Sequence, residues 1–185
     1  ANKNDHLGML MQRKRRAMAT MIITQCLKSY DINAHDQRGW TPLYFTVFCK
    51  EPELCRLLCE RGDVDVERGH EYTGDIVLHL AATNGSIECM RILLDVGRVN
   101  VNAKDNYSYT PLHSAALLGH LEAATLLIER GAEINPLNRH NKTPLDLAHY
   151  DNRTAMIAFL KTKGAVRAPQ PVAEEGSGEE SDGNE

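Results

Sequence analysis

Histidine has the widest capacity for chemistry in this sequence, because its ring can act as an acid, a base or a metal ligand. The chain has eight histidines among its 185 residues. His35, His70 and His140 fall in separate segments, and none has a cysteine or carboxylate at metal-ligand spacing. The G-x-S-x-G, Walker and G-x-G-x-x-G motifs are also absent from the sequence. We therefore predict no enzymatic activity, no cofactor and no metal site.

The cysteines indicate a reducing, intracellular environment, either cytoplasmic or nuclear. Their number is odd, they lie in apolar stretches, and no paired framework connects them. Cys55 and Cys59 are four residues apart and would share one face of a helix, where we expect them to act as small buried hydrophobes. The five cysteines are Cys26, Cys49, Cys55, Cys59 and Cys89.

Negative charge is concentrated at the C-terminal end. Residues 172–185 contain six acidic residues and no lysine or arginine, and the other 19 of the 25 acidic residues face 21 lysines and arginines. Such a composition cannot bury enough apolar surface to fold, so we predict a disordered acidic tail over residues 166–185. Ser177 precedes Glu180 by three residues, which is a pattern typical of acid-directed phosphorylation.

One dense basic cluster, Arg13-Lys14-Arg15-Arg16, lies near the N-terminal end. It fits a solvated helix face, a nuclear import signal, or a contact with an acidic partner or nucleic acid. Nucleic acid is the least favoured of these, because the body of the chain before the acidic tail is nearly neutral, with 21 basic and 19 acidic residues, and carries no basic stripe. No run of about 18 apolar residues occurs, so we expect no membrane contact.

Four segments of the chain share the same marks at a regular spacing. One series is Pro42, Val77, Pro111 and Pro144, another is Gly62, Gly97, Gly131 and Gly164, and both advance by 35, 34 and 33 residues. The third copy reads Thr110-Pro111-Leu112-His113-Ser114-Ala115. This pattern resembles the T-P-L-H-x-A motif of the ankyrin repeat, whose period is about 33 residues.

The resemblance implies an all-α ankyrin-repeat solenoid of stacked helix-turn-helix pairs with hairpin-like fingers, over residues 31–165. We place the repeats at 39–71, 72–105, 106–138 and 139–165, and a helical N-terminal cap at 1–30. In this family the histidine of the motif, here His79 and His113, ties the turn to its neighbours. One repeat cannot bury its apolar face alone, so the repeats must stack.

Local residue chemistry predicts how each unit begins and ends. Threonine before proline caps the first helix, and the pair Ile76-Val77 lacks both residues, so that helix should start less firmly. The glycines of the second series should adopt left-handed C-cap conformations. Lys50 stands where the turn between the two helices has glycine in other repeats, and we expect that turn to be rearranged.

The resemblance also implies the function, namely a non-catalytic adaptor or inhibitor that binds another protein, of unknown identity, through the concave face of the stack. An escort chaperone that holds a basic client with its acidic tail and fingers is the alternative. Nothing in the stack requires a dimer, so we expect a monomer. The candidate binding residues lie on the fingers and first helices, and six are aromatic, the type that dominates binding hot spots. They are Arg38, Trp40, Phe48, Tyr72, Asp75, Tyr107, Tyr109, Leu117, Leu118, Arg139, His140 and Tyr150.

Overall fold

The computed structural model describes residues 31–169, which form eight helices arranged in four consecutive pairs and contain no strand. The all-α repeat solenoid expected from the sequence is therefore confirmed. The proposed cap at 1–30, the cluster Arg13–Arg16 and Ser177 lie outside the described residues. The helices are α1 (Pro42–Phe48), α2 (Pro52–Cys59), α3 (Val77–Asn84), α4 (Ile87–Asp95), α5 (Pro111–Leu118), α6 (Leu121–Glu129), α7 (Pro144–Tyr150) and α8 (Thr154–Thr162).

The helices pack in two layers. The first helices of the pairs (α1, α3, α5 and α7) contact one another in chain order, and so do the second helices (α2, α4, α6 and α8). Ala115 and Ala116 on α5 are fully buried and let neighbouring first helices approach closely. Leu112 and Leu127 are also fully buried in the interior of the stack, where a buried leucine contributes about 2 kcal/mol of hydrophobic free energy. None of the helices between residues 31 and 169 has the length and apolar character that spanning a bilayer requires.

The helix starts agree with the threonine-proline prediction. The Thr41 hydroxyl accepts a hydrogen bond from the backbone N–H of Tyr44 at 3.2 Å, and Thr143 does the same for Asp146 at 3.2 Å. At Thr110 the backbone N–H donates in turn to Nδ1 of His113 at 3.1 Å, which completes a reciprocal capping box. These contacts satisfy N–H groups that the first turn of a helix otherwise leaves unpaired.

Helix α3 lacks this arrangement, as its sequence predicts. Ile76 occupies the cap position and has no side-chain hydrogen bond to offer. His79 is 3% exposed, and its Nδ1 is buried without a hydrogen-bond partner among the described residues. The missing threonine hydroxyl therefore leaves a polar atom unsatisfied, which is a costly arrangement in a protein interior.

The predicted rearrangement at Lys50 is wrong. Lys50 adopts a left-handed φ of 57°, close to the 61° of Gly85 at the equivalent turn. The closing hydrogen bond is kept too, because Glu51 N–H donates to Thr46 O at 2.9 Å as Ser86 N–H donates to Ala81 O. Lysine is accommodated because its Nζ donates to the carbonyl of Asn84 in the next repeat at 2.9 Å. A contact between repeats thus offsets a local conformational cost.

The prediction of left-handed C-cap glycines holds for only two of the four. Gly131 and Gly164 have φ angles of 88° and 84°, whereas Gly62 and Gly97 lie outside the left-handed region. At Gly97 the constraint is close approach, because an added Cβ would lie 2.8 Å from the Leu93 carbonyl oxygen. The left-handed residue there is the next one, Arg98, with a φ of 51°.

We predict that Ile76→Thr gives a more stable protein than Ile76→Val, by about 1–2 kcal/mol of unfolding free energy. Both substitutions remove a similar apolar volume, but only threonine supplies a hydroxyl that can cap α3 and donate to Nδ1 of His79. Urea unfolding of the two variants measures the difference. Equal stability of the two, or a more stable valine variant, would show that the unsatisfied nitrogen carries no cost.

Candidate functional site

The four hairpins that precede the first helices are joined edge to edge by backbone hydrogen bonds. Each of the last three hairpins uses the N–H of a tip residue to donate to a carbonyl oxygen of the preceding hairpin. These bonds are Glu71 to Gly39 at 3.2 Å, Asn106 to Thr73 at 3.0 Å and Arg139 to Tyr107 at 3.0 Å. The hairpin tips therefore form one continuous surface, and their side chains are left to point away from the paired backbone.

Three of the four hairpin tips are each held by an acceptor side chain that our sequence reasoning did not single out. The Asp105 carboxylate accepts the N–H groups of Tyr107 and Tyr109, each at 2.8 Å. Asp36 and Asn138 hold their own tips in the same way. Asp36, Asp105 and Asn138 each lie six residues before the proline that starts the following helix. This shared spacing is the sequence signal that could have identified them.

A second set of contacts ties each first helix to the next hairpin. His79 Nε2 hydrogen-bonds the carbonyl of Tyr109 at 2.9 Å, and His113 Nε2 bonds the carbonyl of Lys142 at 3.0 Å. Because a carbonyl can only accept, Nε2 carries the proton in both rings, and this is the role that the resemblance implied. In the first repeat the Tyr44 hydroxyl takes this position and donates to Asp75 at 2.6 Å.

These ties have electrostatic consequences for the buried groups. Burial lowers the pKa of His113 to about 4, so the ring stays neutral at physiological pH. Burial and the hydrogen bond to Asp75 raise the pKa of Tyr44 far above its usual range. Asp75 is occupied by Tyr44 and by the hydroxyl of Thr73, so its carboxylate supports the hairpin from within.

The predicted aromatic residues of the first repeat come together in space. The rings of Trp40 and Phe48 lie 4.7 Å apart between centroids, and the Arg38 guanidinium lies 4.6 Å from the Trp40 ring centroid. Phe48 is 45% exposed although it is a large apolar residue. The three side chains form a compact cation-aromatic cluster, a type of contact favoured at binding surfaces.

The same combination recurs on later hairpins. Tyr72 and Tyr107 are 65% and 51% exposed, and the Arg139 guanidinium lies 5.8 Å from the Tyr107 ring centroid. Tyr109 is less available, because it is half-buried with its ring 5.4 Å from that of His113. We call the exposed side chains of the hairpin tips and of the C-terminal ends of the first helices the finger face.

Three of the other predicted residues, Leu117, Leu118 and Tyr150, lie at the C-terminal ends of first helices. Tyr150 is 84% exposed at the end of α7, and Leu118 is 37% exposed at the end of α5. The carbonyl of Leu117 accepts from Arg153 Nε at 3.2 Å, so its backbone is tied to the next repeat. His140 is exposed on the fourth hairpin tip beside Arg139.

Cys55, Cys59 and Cys89 lie apart from this face, on the second helices of their pairs, and Cys26 lies outside the described residues. Cys55 and Cys89 are almost fully buried between α2 and α4, and Cys59 is 9% exposed beside them. Hydrogen bonds to the Cys59 and Cys89 thiols, together with burial, raise the pKa of the Cys55 thiol. Cys55 is therefore a packing residue and a poor nucleophile, because the thiolate is the reactive form.

Comparison with known proteins identifies one family and several relatives. A family model described as "Ankyrin repeats (3 copies)" matches residues 11–105, 63–138 and 105–168. B-cell lymphoma 3 protein homolog of Mus musculus is 32% identical over 143 residues, which cover 75% of this chain and 32% of the relative. Protein phosphatase 1 regulatory subunit 12A of Mus musculus is 35% identical over 82 residues, covering 44% of this chain and 8% of the relative. The chain spans about a third or less of the length of these relatives.

The single tryptophan of the chain makes the first cluster measurable. We predict that Phe48→Ala shifts the Trp40 emission to longer wavelength and increases quenching by acrylamide, because the Phe48 ring shields the indole from water. Tyr150→Ala is the matched control, since Tyr150 is an exposed aromatic residue at the other end of the described stack. An unchanged spectrum for Phe48→Ala would mean that the two rings do not stack in solution.

We also predict that His113 makes the stability dependent on pH. Its folded-state pKa of about 4 lies below the usual value of 6.5, so the unfolded chain binds the proton more tightly. The neutral His113 ring makes its full contribution to the free energy of unfolding above pH 6.5. As the pH falls toward 4, the protein loses about 3 kcal/mol of that free energy. Urea unfolding at several pH values should give a shallower dependence of the unfolding free energy on pH for His113→Gln than for the wild type. Equal slopes for His113→Gln and the wild type would contradict the prediction.

Proposed function

The chain belongs to the ankyrin-repeat family, and from that membership we propose that it is a non-catalytic adaptor or inhibitor that binds a partner protein through its finger face. Ankyrin repeats bind other proteins, and the family is generally non-catalytic. Within residues 31–169 no three histidine, cysteine or acidic side chains are grouped as a metal site requires. We further propose an intracellular location, on the basis of the cysteine composition.

The observation that carries the proposal is the exposure of large aromatic side chains on one connected surface. Tyr72, Tyr107 and Tyr150 are all at least half exposed, although burial of such rings is favourable. The hairpins that carry Tyr72 and Tyr107 are held in place by side-chain and backbone hydrogen bonds. A preorganised surface loses little conformational entropy on binding, so more of the contact energy becomes affinity.

The charge pattern supports a partner that is at least partly acidic. The fourth hairpin tip, residues 138–142, carries Arg139, His140 and Lys142 and no acidic residue. Neither Arg139 nor Lys142 forms an ion pair within 4.0 Å among the described residues. The escort-chaperone alternative requires an acidic surface that binds a basic client. The acidic residues of this chain that would form that surface, within 172–185, lie outside the described residues. We therefore favour the adaptor or inhibitor.

Among the relatives, protein phosphatase 1 regulatory subunit 12A is named as a regulatory subunit of a phosphatase. Its matched region covers 8% of that relative. The resemblance therefore supports the class of function that we propose and leaves the partner to experiment.

We predict that the triple substitution Tyr72→Ala, Tyr107→Ala and Tyr150→Ala removes partner binding with little loss of stability, because all three rings are largely exposed. Quantitative capture from a cell lysate, followed by mass spectrometry, compares the variant with the wild type. The control is Leu57→Ala with Leu121→Ala, two apolar residues exposed on the second-helix layer. Partners lost from the triple variant and retained by the control support the proposal. Retention by the triple variant, or equal loss from both, would contradict it.

A further inference from the structure

The segment after α8 begins like a further repeat. Gly164 and Ala165 repeat the conformations of Gly131 and Ala132, with left-handed glycines followed by alanines that are each 8% exposed. The Asn135 side chain accepts the Val166 N–H at 2.8 Å, as Asn102 accepts the Glu133 N–H at 2.8 Å. Residues 164–169, which we call the closing segment, therefore lie where the hairpin of a following repeat would start.

The closing segment is anchored on α7 by one carboxylate. Asp146 accepts hydrogen bonds from the backbone N–H of Ala168 at 2.9 Å and from Arg167 Nε at 2.8 Å. It also accepts from the N–H and hydroxyl of Thr143, both at 3.0 Å. Burial alone would raise the pKa of Asp146, but these hydrogen bonds outweigh it and lower the pKa to about 2. The charge of Asp146 is thus compensated inside the protein.

No further helix packs on α7 among the described residues, and a pocket of about 260 Å³ remains between α7, the fourth hairpin and the closing segment. We call it the terminal pocket. Its lining combines basic, aromatic and apolar side chains around the anchored carboxylate. The lining residues are Lys142, Asp146, Leu147, His149, Tyr150 and Arg167.

The electrostatics of the terminal pocket favour an acidic occupant. Asp146 is its only acidic residue and is 5% exposed, whereas Arg167 and Lys142 are exposed. The Arg167 guanidinium uses its Nε for Asp146, which leaves its terminal nitrogens available to another acceptor. Tyr150 and Leu147 add an apolar wall. A peptide with several carboxylates matches this combination of positive charge and apolar surface.

We propose that the terminal pocket binds the acidic segment of the same chain, residues 172–185. This segment has six acidic residues and no lysine or arginine, so its charge complements that of the pocket. Glu174 is five residues beyond Pro169, which allows a reach of about 17 Å in an extended chain. A short tether gives a high effective concentration, so weak contacts suffice for intramolecular binding. The bound segment covers Tyr150 and Lys142 and so limits access of an acidic partner to this end of the finger face, a consequence that rests on the proposed function.

The test compares two full-length proteins by the chemical shifts of their backbone amides. One is the wild type, and in the other the six acidic residues from Glu174 to Glu185 are replaced by their amides. The proposal expects differences concentrated at Lys142, Leu147, Tyr150 and the closing segment, and expects them to shrink as salt rises, because charge attraction is screened. Identical spectra in residues 138–169, or differences centred on Arg13–Arg16, would overturn it.

A second measurement keeps the test independent of folding defects. A fluorescent synthetic peptide of residues 172–185 is added to the neutralised full-length protein, and anisotropy gives its dissociation constant. Lys142→Gln with Tyr150→Ala in that protein should weaken binding roughly fivefold. Both side chains are exposed, so the fold is retained. The control, Lys161→Gln with Lys163→Gln on the other side of the last repeat, should leave the constant unchanged. If both double variants weaken peptide binding equally, the peptide is held only by general charge attraction, and the proposal is overturned. Because no partner protein is involved, failure here leaves the proposed function untouched.

Discussion

The structure depends on one constraint, which is that no single helix pair of this chain can bury its apolar side alone. Leu78, Leu112 and Leu145 lie on three different first helices, and each is almost fully buried because a neighbouring pair covers it. Hydrophobic burial is roughly proportional to the area removed from water and has no preferred direction. It explains why the pairs stack, but it does not fix how far one pair is rotated or shifted relative to the next.

Polar contacts between repeats fix that register. The imidazole of His113 reaches the fourth hairpin, and the Lys50, His120 and Arg153 side chains each bond a backbone carbonyl of a neighbouring first helix. Hydrogen bonds weaken steeply with poor geometry, so a shift of one repeat would break several of them together. The hairpin tips follow from this register, because their backbones must meet edge to edge. Since the backbone groups are used in pairing, the exposed aromatic and basic side chains are what the finger face presents to solvent.

The sequence predicts most of what local chemistry determines. The threonine-proline pairs located the starts of α1, α5 and α7, and the missing pair at Ile76 identified the first helix in which the motif histidine, His79, has an unsatisfied ring nitrogen. Predictions from local residue chemistry were wrong where contacts with another repeat determine the conformation. Lys50 tolerates a left-handed conformation because its ammonium group bonds the next repeat, and glycine at Gly97 is required by the proximity of Leu93 and Cys59. The repeat pattern was enough to predict that Arg38, Trp40 and Phe48 lie on the same face. That their side chains stack on one another could be seen only in the structure.

A finite stack must also end, and the same constraint then applies to its last described surface. A polar side chain of each first helix forms a hydrogen bond to the hairpin that follows. For α7, the closing segment is in the place of that hairpin. Asp146 is in the same position of its repeat as His113 is in the preceding one. Its carboxylate accepts hydrogen bonds from the N–H of Ala168 and the guanidinium of Arg167, whereas His113 donates to a carbonyl. This exchange of donor for acceptor brings a cation to the end of the stack and leaves the side of α7 only partly covered. The terminal pocket therefore lies beside Asp146, and its basic character follows from this residue, which stands where His113 stands in the preceding repeat.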